Sequence, residues 1–129
     1  MKKIKRFVSM VLSALLLTSC TAPSSSAGYR QISIDDAVRI MREEKNYIIL
    51  DVRRPDEYSE GHIPNAINIP NEEISASEIR ELPDRAQLIL VYCRSGRRSK
   101  EAAEKLVKLG YTNIVEFGGI LDWKGDIEK

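Results

Sequence analysis

Leu88-Ile89-Leu90-Val91-Tyr92 runs without a break into Cys93-Arg94-Ser95-Gly96-Arg97-Arg98, a join that few folds accommodate. An apolar run of this kind, rich in branched side chains, reads as a strand buried on both faces. The period then changes. From about Ser99 to Leu109 a helix is expected, with Ala102, Ala103, Leu106 and Val107 on one face and Gly110 as its stop. A doubly buried strand that feeds a helix belongs in a parallel sheet whose faces are covered by helices.

The flanking sequence repeats the alternation. Ser33 is placed to cap a helix, with Asp36 at its third position and Ile34, Ala37, Val38 and Met41 on one face. Tyr47-Ile48-Ile49-Leu50 reads as a buried strand ending at Asp51. Pro55 to Glu60 reads as a short helix, with Pro55 at its first position and Gly61 after its end. Ala66 to Ile69 is a strand stopped by Pro70, and Ser77 to Leu82 a further short helix closed by Pro83. Asn113 to Phe117 is a last strand, after which Gly118-Gly119 turns into a short helix containing Trp123. The pattern implies an α/β sandwich with a mainly parallel central sheet. In such sheets ligands bind beyond the carboxyl ends of the strands, where Cys93 lies.

Four of the seven residues from Arg94 to Lys100 are basic and none is acidic. A helix N-terminus already carries partial positive charge, so this placement costs local stability and points to function. An anion site accounts for it. Amides of the loop and first helical turn converge, Gly96 permits the turn, and guanidinium groups add charge. Arg94, Arg97 and Arg98 cannot all enter one small site; Arg94 and Arg98 are slightly favoured over Arg97, and the amides over any side chain. Ser95 and Ser99 either donate hydroxyl hydrogen bonds there or cap the helix.

A thiol beside a helix N-terminus and arginines reacts as the thiolate. Attack on the outer sulfur of an anionic donor needs only these parts. A leaving group such as sulfite departs as an anion without a proton donor, and the same amides hold the resulting cysteine persulfide. No His or Asn partner is required, which argues against a papain-like protease. His62 is the only histidine; in Gly61-His62-Ile63-Pro64 it reads as a structural, hydrogen-bonded residue of a turn.

The chain has 129 residues, room for one domain. Its start, Met1-Lys2-Lys3-Ile4-Lys5-Arg6 followed by uncharged Phe7 to Leu17, fits a secretory signal peptide. The apolar run falls short of the ~20 residues that span a bilayer. Leu17-Thr18-Ser19-Cys20 resembles a bacterial lipobox, in which the Cys is diacylated and cleavage falls just before it. The expected organisation is a signal peptide over 1–19, a lipidated Cys20 with a flexible tether over 20–28, and a folded domain over 29–129. The domain would sit outside the cytoplasm, lipid-anchored to a bacterial membrane on the periplasmic side or the outer cell face. Removing residues 1–19 takes away Lys2, Lys3, Lys5 and Arg6 and no acidic residue, which leaves 16 basic against 19 acidic side chains, a net of −3. Nothing in that balance suggests a nucleic-acid partner. One His and two Cys cannot supply a structural zinc site, and the chemistry implies no metal and no cofactor.

Three blocks carry a family resemblance. Asp51-Val52-Arg53…Glu57-Tyr58…Gly61-His62-Ile63-Pro64-Asn65-Ala66-Ile67-Asn68-Ile69-Pro70 resembles the first signature of rhodanese domains, Val91 to Ser99 their active-site loop, and Gly118-Gly119-Ile120…Trp123 their C-terminal signature. The resemblance covers residues ~30–125. It implies a rhodanese-like three-layer α/β/α sandwich and a single-domain sulfurtransferase of the thiosulfate type. Cys93 would be the persulfide carrier, and Cys93 to Arg98 the six-residue loop. It suggests a supporting role behind the loop for Asp51, which with Arg53 could form a buried pair; strand-end capping explains Asp51 equally well. The implied partners are a small anionic sulfur donor and a cyanide or thiol acceptor, with a protein acceptor of sulfur left open. Two departures stand out. Asn65 replaces the family's usual Gly, and Asn tolerates the left-handed region. Asp122 replaces a common Ala before the tryptophan, at what should be a helix surface.

Other functions fit less well. A cysteine phosphatase of this fold would place Arg six residues after Cys93, where Ser99 stands, and would need a proton donor for its leaving group. A non-catalytic module would have no use for Cys93 in an intact basic loop, although a carrier serving a protein acceptor would. Thiol redox work would need a resolving Cys that the mature domain lacks. Trp123 reads as core packing, and Glu101 and Glu104 as a solvated helix face with Lys100, Lys105 and Lys108.

Overall fold

The computed structural model describes residues 28–129. The expected signal peptide, the expected lipidation at Cys20 and the expected tether up to residue 27 lie outside the described residues. In chain order the elements are β1 (Arg30–Gln31), α1 (Ile34–Glu43), β2 (Tyr47–Asp51), α2 (Pro55–Glu60), β3 (Ile67–Asn68), β4 (Leu88–Cys93), α3 (Arg97–Lys108) and β5 (Ile114–Gly119). Single 3-10 turns occupy Asn71–Glu73 and Ile120–Asp122. The five strands form one sheet in the order β1-β5-β4-β2-β3, and every pairing is parallel.

β4 lies at the centre, between β2 and β5, so both its faces are covered and its sequence can be apolar throughout. Its side chains alternate between two cores. Ile89, Val91 and Cys93 join Ala102, Ala103 and Leu106 of α3 on one face, while Leu90 and Tyr92 join Ala37 of α1 on the other. β2 and β5 divide in the same way, Leu50 and Ile114 to the α3 side, Ile49, Val115 and Phe117 to the α1 side. The result is helix, sheet, helix: the expected three layers.

Local signals set most boundaries. Ser33 Oγ accepts the Asp36 N–H (3.1 Å) and caps α1. Gly61 ends α2 as expected. α3 opens at Arg97, two residues early, because Gly96 in the left-handed region (φ 110°) already serves as its N-cap. β5 runs on to Gly119, where it pairs with Cys93.

The expected helix over Ser77 to Leu82 is absent; turns and extended chain replace it. Pro83 disfavours a helical Leu82. Its fixed points are tertiary: Ile79 and Leu82 are buried, Tyr111 Oη donates to the Leu82 carbonyl (2.6 Å), and Arg85 to that of Ser77 (2.6 Å). The 3-10 turn at Asn71 also escapes sequence signals. Asn71 is buried, donates to Glu101 (2.9 Å), and accepts from Lys105 on its backbone and side-chain oxygens (2.9 and 3.0 Å). That face of α3 is therefore only partly solvated. Trp123 is half-buried against the α1-side core; it follows the last 3-10 turn rather than lying within a helix. Asp122 is exposed.

Asn65 holds φ 67°, the conformation a Gly would adopt at no cost. Asn65→Ala should lower the unfolding free energy by about 1–2 kcal/mol, while Asn65→Gly should leave it within about 0.5 kcal/mol. Urea denaturation of the two variants checks this; equal losses would remove backbone strain as the explanation.

Candidate active site

β4 ends at Cys93 and α3 begins at Arg97, so Arg94, Ser95 and Gly96 must turn the chain between a central strand and a helix packed on it. Cys93 is 1% exposed and faces α3. The Gly96 N–H donates to Cys93 Sγ (3.0 Å), and the thiol lies 3.4 Å from Ser99 Oγ. The first-turn amides of Arg97, Arg98 and Ser99 have no intrahelical acceptor.

The loop rests on the end of β5. A Cβ on Gly119 would overlap the Arg94 carbonyl and the Ser95 nitrogen, so only Gly fits beneath the turn. The Leu121 N–H then donates to the Arg94 carbonyl (3.2 Å) and fastens the loop from the far side.

The three loop arginines diverge, as their number requires. Arg98 makes a two-pronged contact with Glu57 of α2 (2.6 and 3.0 Å) and is mostly buried. That hydrogen bond holds the Glu57 carboxyl below its ordinary range. Arg97 turns outward to Glu101 (2.9 Å). Arg94 is exposed, makes no ion pair among the described residues, and lines a cleft with Arg53, Arg54 and Arg98 and with the acidic Asp56, Glu57 and Glu60. Ser95 is exposed on the loop.

Behind the loop, on the α1 side, lies a buried polar knot. Asp51 Oδ1 accepts from the Arg53 N–H (2.9 Å) and Nε (3.0 Å); Oδ2 accepts from Arg53 Nη2 (2.7 Å) and Tyr92 Oη (2.7 Å). Arg53 Nη2 donates again to the Gly61 carbonyl (2.7 Å), and Tyr92 Oη accepts the Ile63 N–H (3.1 Å). Burial, then the Asp51 carboxylate, push the Tyr92 pKa far above its ordinary value, so Tyr92 remains a donor. Burial works against the Arg53 cation, but Asp51 outweighs it and holds the pKa raised. Both residues act on Tyr92, the neighbour of Cys93, rather than on the sulfur. His62 is occupied elsewhere: it stacks on Tyr58 (3.7 Å), Nδ1 sits 2.9 Å from the Tyr58 carbonyl, and Nε2 lies 3.6 Å from Glu128.

One polar residue at the site escapes the sequence reading: Glu116 of β5, which is 3% exposed. Ser99, expected to donate a hydroxyl hydrogen bond at the site or to cap the helix, is wholly buried beside Cys93. Glu116 Oε1 accepts from Ser99 Oγ (2.7 Å) and from the Gly118 N–H (2.8 Å). The alternation of Ile114-Val115-Glu116-Phe117 carried the signal: it sets Glu116 on the inward face of Ile114. Among the described residues no group of three or more His, Cys, Asp or Glu converges to hold a metal ion.

The chain is similar to known proteins in sequence and fold. Residues 33–126 match the rhodanese-like domain family. The chain is 40% identical over 73 residues to the thiosulfate sulfurtransferase PspE of Escherichia coli, a match covering 57% of this chain and 70% of that protein. It is 34% identical over 97 residues to the thiosulfate sulfurtransferase GlpE of Coxiella burnetii, covering 74% of this chain and 88% of that one. A rhodanese with anions from E. coli superimposes with a TM-score of 0.59 at 36% identity, over 64% of this chain and 98% of that one.

Gly119→Ala should destabilise the chain by about 1–3 kcal/mol through overpacking and slow iodoacetamide alkylation of Cys93; an unchanged melt and rate would show that the loop does not depend on this contact. Glu57 sets a pH dependence. Because its folded carboxyl is depressed from 4.5, its contribution is complete above that value and is lost as pH falls through the lower, folded one. Between about pH 6 and about pH 3, Glu57→Gln should therefore lose stability less steeply than the wild type in urea titrations, whereas parallel curves would contradict the Arg98 contact.

Proposed function

The chain belongs to the rhodanese-like domain family and is a thiosulfate sulfurtransferase-type transferase, and from that premise we propose that it passes sulfane sulfur from thiosulfate or a persulfide donor to cyanide or a thiol through a persulfide on Cys93. The single observation that carries this reading is the Gly96 amide on Cys93 Sγ, at the mouth of a helix and beneath a basic loop.

The steps need no metal and no further cofactor. The Cys93 thiolate attacks the outer sulfur of thiosulfate. A new S–S bond forms on Cys93, the old one breaks, and sulfite leaves with the bonding electron pair. The terminal sulfur of Cys93–S–S⁻ is then an anion at the N-terminal end of α3, beside the Gly96 amide, where fixed donors stabilise developing charge without reorganising. Cyanide or a thiolate attacks that terminal sulfur, and Cys93 departs as thiolate into the same amides. Arg94, the loop arginine free of an acidic partner, attracts the donor anion to the cleft. Arg98, committed to Glu57, fixes the loop against α2. Asp51 and Arg53 hold Tyr92 and so the end of β4.

The same reading places the domain outside the cytoplasm, held at a bacterial membrane by lipid on Cys20. Its support is the basic start, the apolar run and the Leu17-Thr18-Ser19-Cys20 ending.

Steady-state transfer from thiosulfate to cyanide tests the chemistry. Cys93→Ser should abolish turnover. Arg94→Ala should raise KM for thiosulfate about 3–10-fold with a smaller change in kcat, the mark of lost ground-state attraction. Turnover by Cys93→Ser would refute the proposal. For the anchor, the expressed chain should partition into a detergent phase and Cys20→Ser into the aqueous phase; identical partitioning would refute lipidation.

A further inference from the structure

Glu116 is a buried carboxylate to which the sulfur-transfer steps assign no task. It is 3% exposed, and among the described residues it makes no ion pair. Lys100 of α3 and Asp36 of α1 line the shallow cleft that reaches Glu116 from the β1 side, yet neither bonds to it. A buried charge without a counter-ion is costly, and an apolar side chain would serve the sheet better. Such a breach of the local pattern marks function.

The geometry around it is a row. Cys93 Sγ lies 3.4 Å from Ser99 Oγ, which lies 2.7 Å from Glu116 Oε1. Ser99 Oγ is also 2.9 Å from the Gly96 carbonyl and 3.4 Å from that of Gly118, but it has one proton, and the carboxylate is the nearest and only charged acceptor. With that proton given to Glu116, the Ser99 oxygen turns a lone pair to the Cys93 thiol. The Gly118 N–H on Glu116 Oε1 (2.8 Å) fixes the carboxylate in line. His62, the chain's one histidine, is held by Tyr58 and faces Glu128, so the common imidazole base is not at the sulfur.

We propose that Ser99 and Glu116 take the thiol proton of Cys93, Ser99 as the catalytic hydroxyl in contact with the sulfur and Glu116 as the positioning residue behind it. This inference rests on Cys93 being the nucleophile. The S–H bond of Cys93 breaks as a new O–H bond forms on Ser99. The original Ser99 proton passes to Glu116 Oε1, so Cys93 gains the negative charge that Glu116 loses. The row of hydrogen bonds reverses: Glu116 now donates to Ser99, and Ser99 donates to the thiolate, beside the Gly96 N–H. When an acceptor removes the terminal sulfur of the persulfide, Cys93 departs into the same two donors.

The sign of the Glu116 effect separates this device from a bystander. A carboxylate that merely sits near sulfur repels the thiolate, so its neutralisation would speed the thiol's reactions. A relay predicts the opposite. The test is iodoacetamide alkylation of the full-length chain, followed by mass spectrometry on the peptide carrying Cys93, so that Cys20 does not contribute. Wild type should keep a pH-insensitive alkylation rate across neutral pH, because internal transfer consumes no hydroxide. In Glu116→Gln that floor should vanish: the rate at pH 7 should fall about tenfold and then rise with pH in proportion to hydroxide. Ser99→Ala should show the same loss, and the double variant no more than either. Unchanged or faster alkylation in Glu116→Gln overturns the proposal. Should circular dichroism show that variant unfolded, Ser99→Ala decides alone, and a retained floor overturns it. Alkylation needs no sulfur donor. A failed thiosulfate reaction with the floor intact would thus sink the sulfur-transfer reading and leave the relay standing.

Discussion

The Gly96 amide reaches Cys93 Sγ only if the chain leaves a central strand, reverses within three residues and starts a helix, all without a side chain in the way. That hydrogen bond, 3.0 Å long, sets the demands on the rest of the molecule. Gly96 must adopt φ 110° to aim its N–H. Gly119 must lack a Cβ so that the Arg94-Ser95 backbone can lie on β5. β4 must be central, because a strand covered on both faces brings a helix N-terminus over its own carboxyl end. The sulfur is dry, and the amides around it are worth more for that reason.

Each layer of the sandwich contributes one polar brace to this loop. On the α1 face, Asp51 and Arg53 grip Tyr92, one residue before Cys93. On the α3 face, Ser99 and Glu116 occupy the space under the turn. At the rim, Glu57 holds Arg98 and ties α3 to α2. The strand alternation makes this division possible, because Tyr92 and Cys93, adjacent in sequence, point to opposite cores.

The parts written in local signals were legible before the fold. The apolar run of β4, the caps of α1 and α2 and the basic loop gave the parallel sheet and placed Cys93 at its functional end. Asn65 kept the left-handed turn as its side-chain chemistry suggested. The parts set by distant contacts were not. Ser77 to Leu82 has helical spacing but is shaped by Tyr111 and Arg85. β1 is two exposed residues that pair with β5 through backbone alone, so composition is silent about it. Glu101 and Lys105 looked like a solvated pair until Asn71 was brought beneath them. Which arginine stays free of an acidic partner depended on Glu57 and Glu101, partners that loop composition does not weigh. The inward position of Glu116 was written in the period-two pattern, but only the fold brings Ser99 to its carboxylate.

The central claim is that Cys93 holds sulfur as a covalent persulfide. Its most direct test is the mass of the chain after incubation with excess thiosulfate, with the modified peptide then mapped. The account predicts a gain of about 32 Da, one sulfur atom, on the Cys93 peptide alone, removed by cyanide and absent from Cys93→Ser. A chain that turns over thiosulfate while Cys93 gains no mass would contradict it.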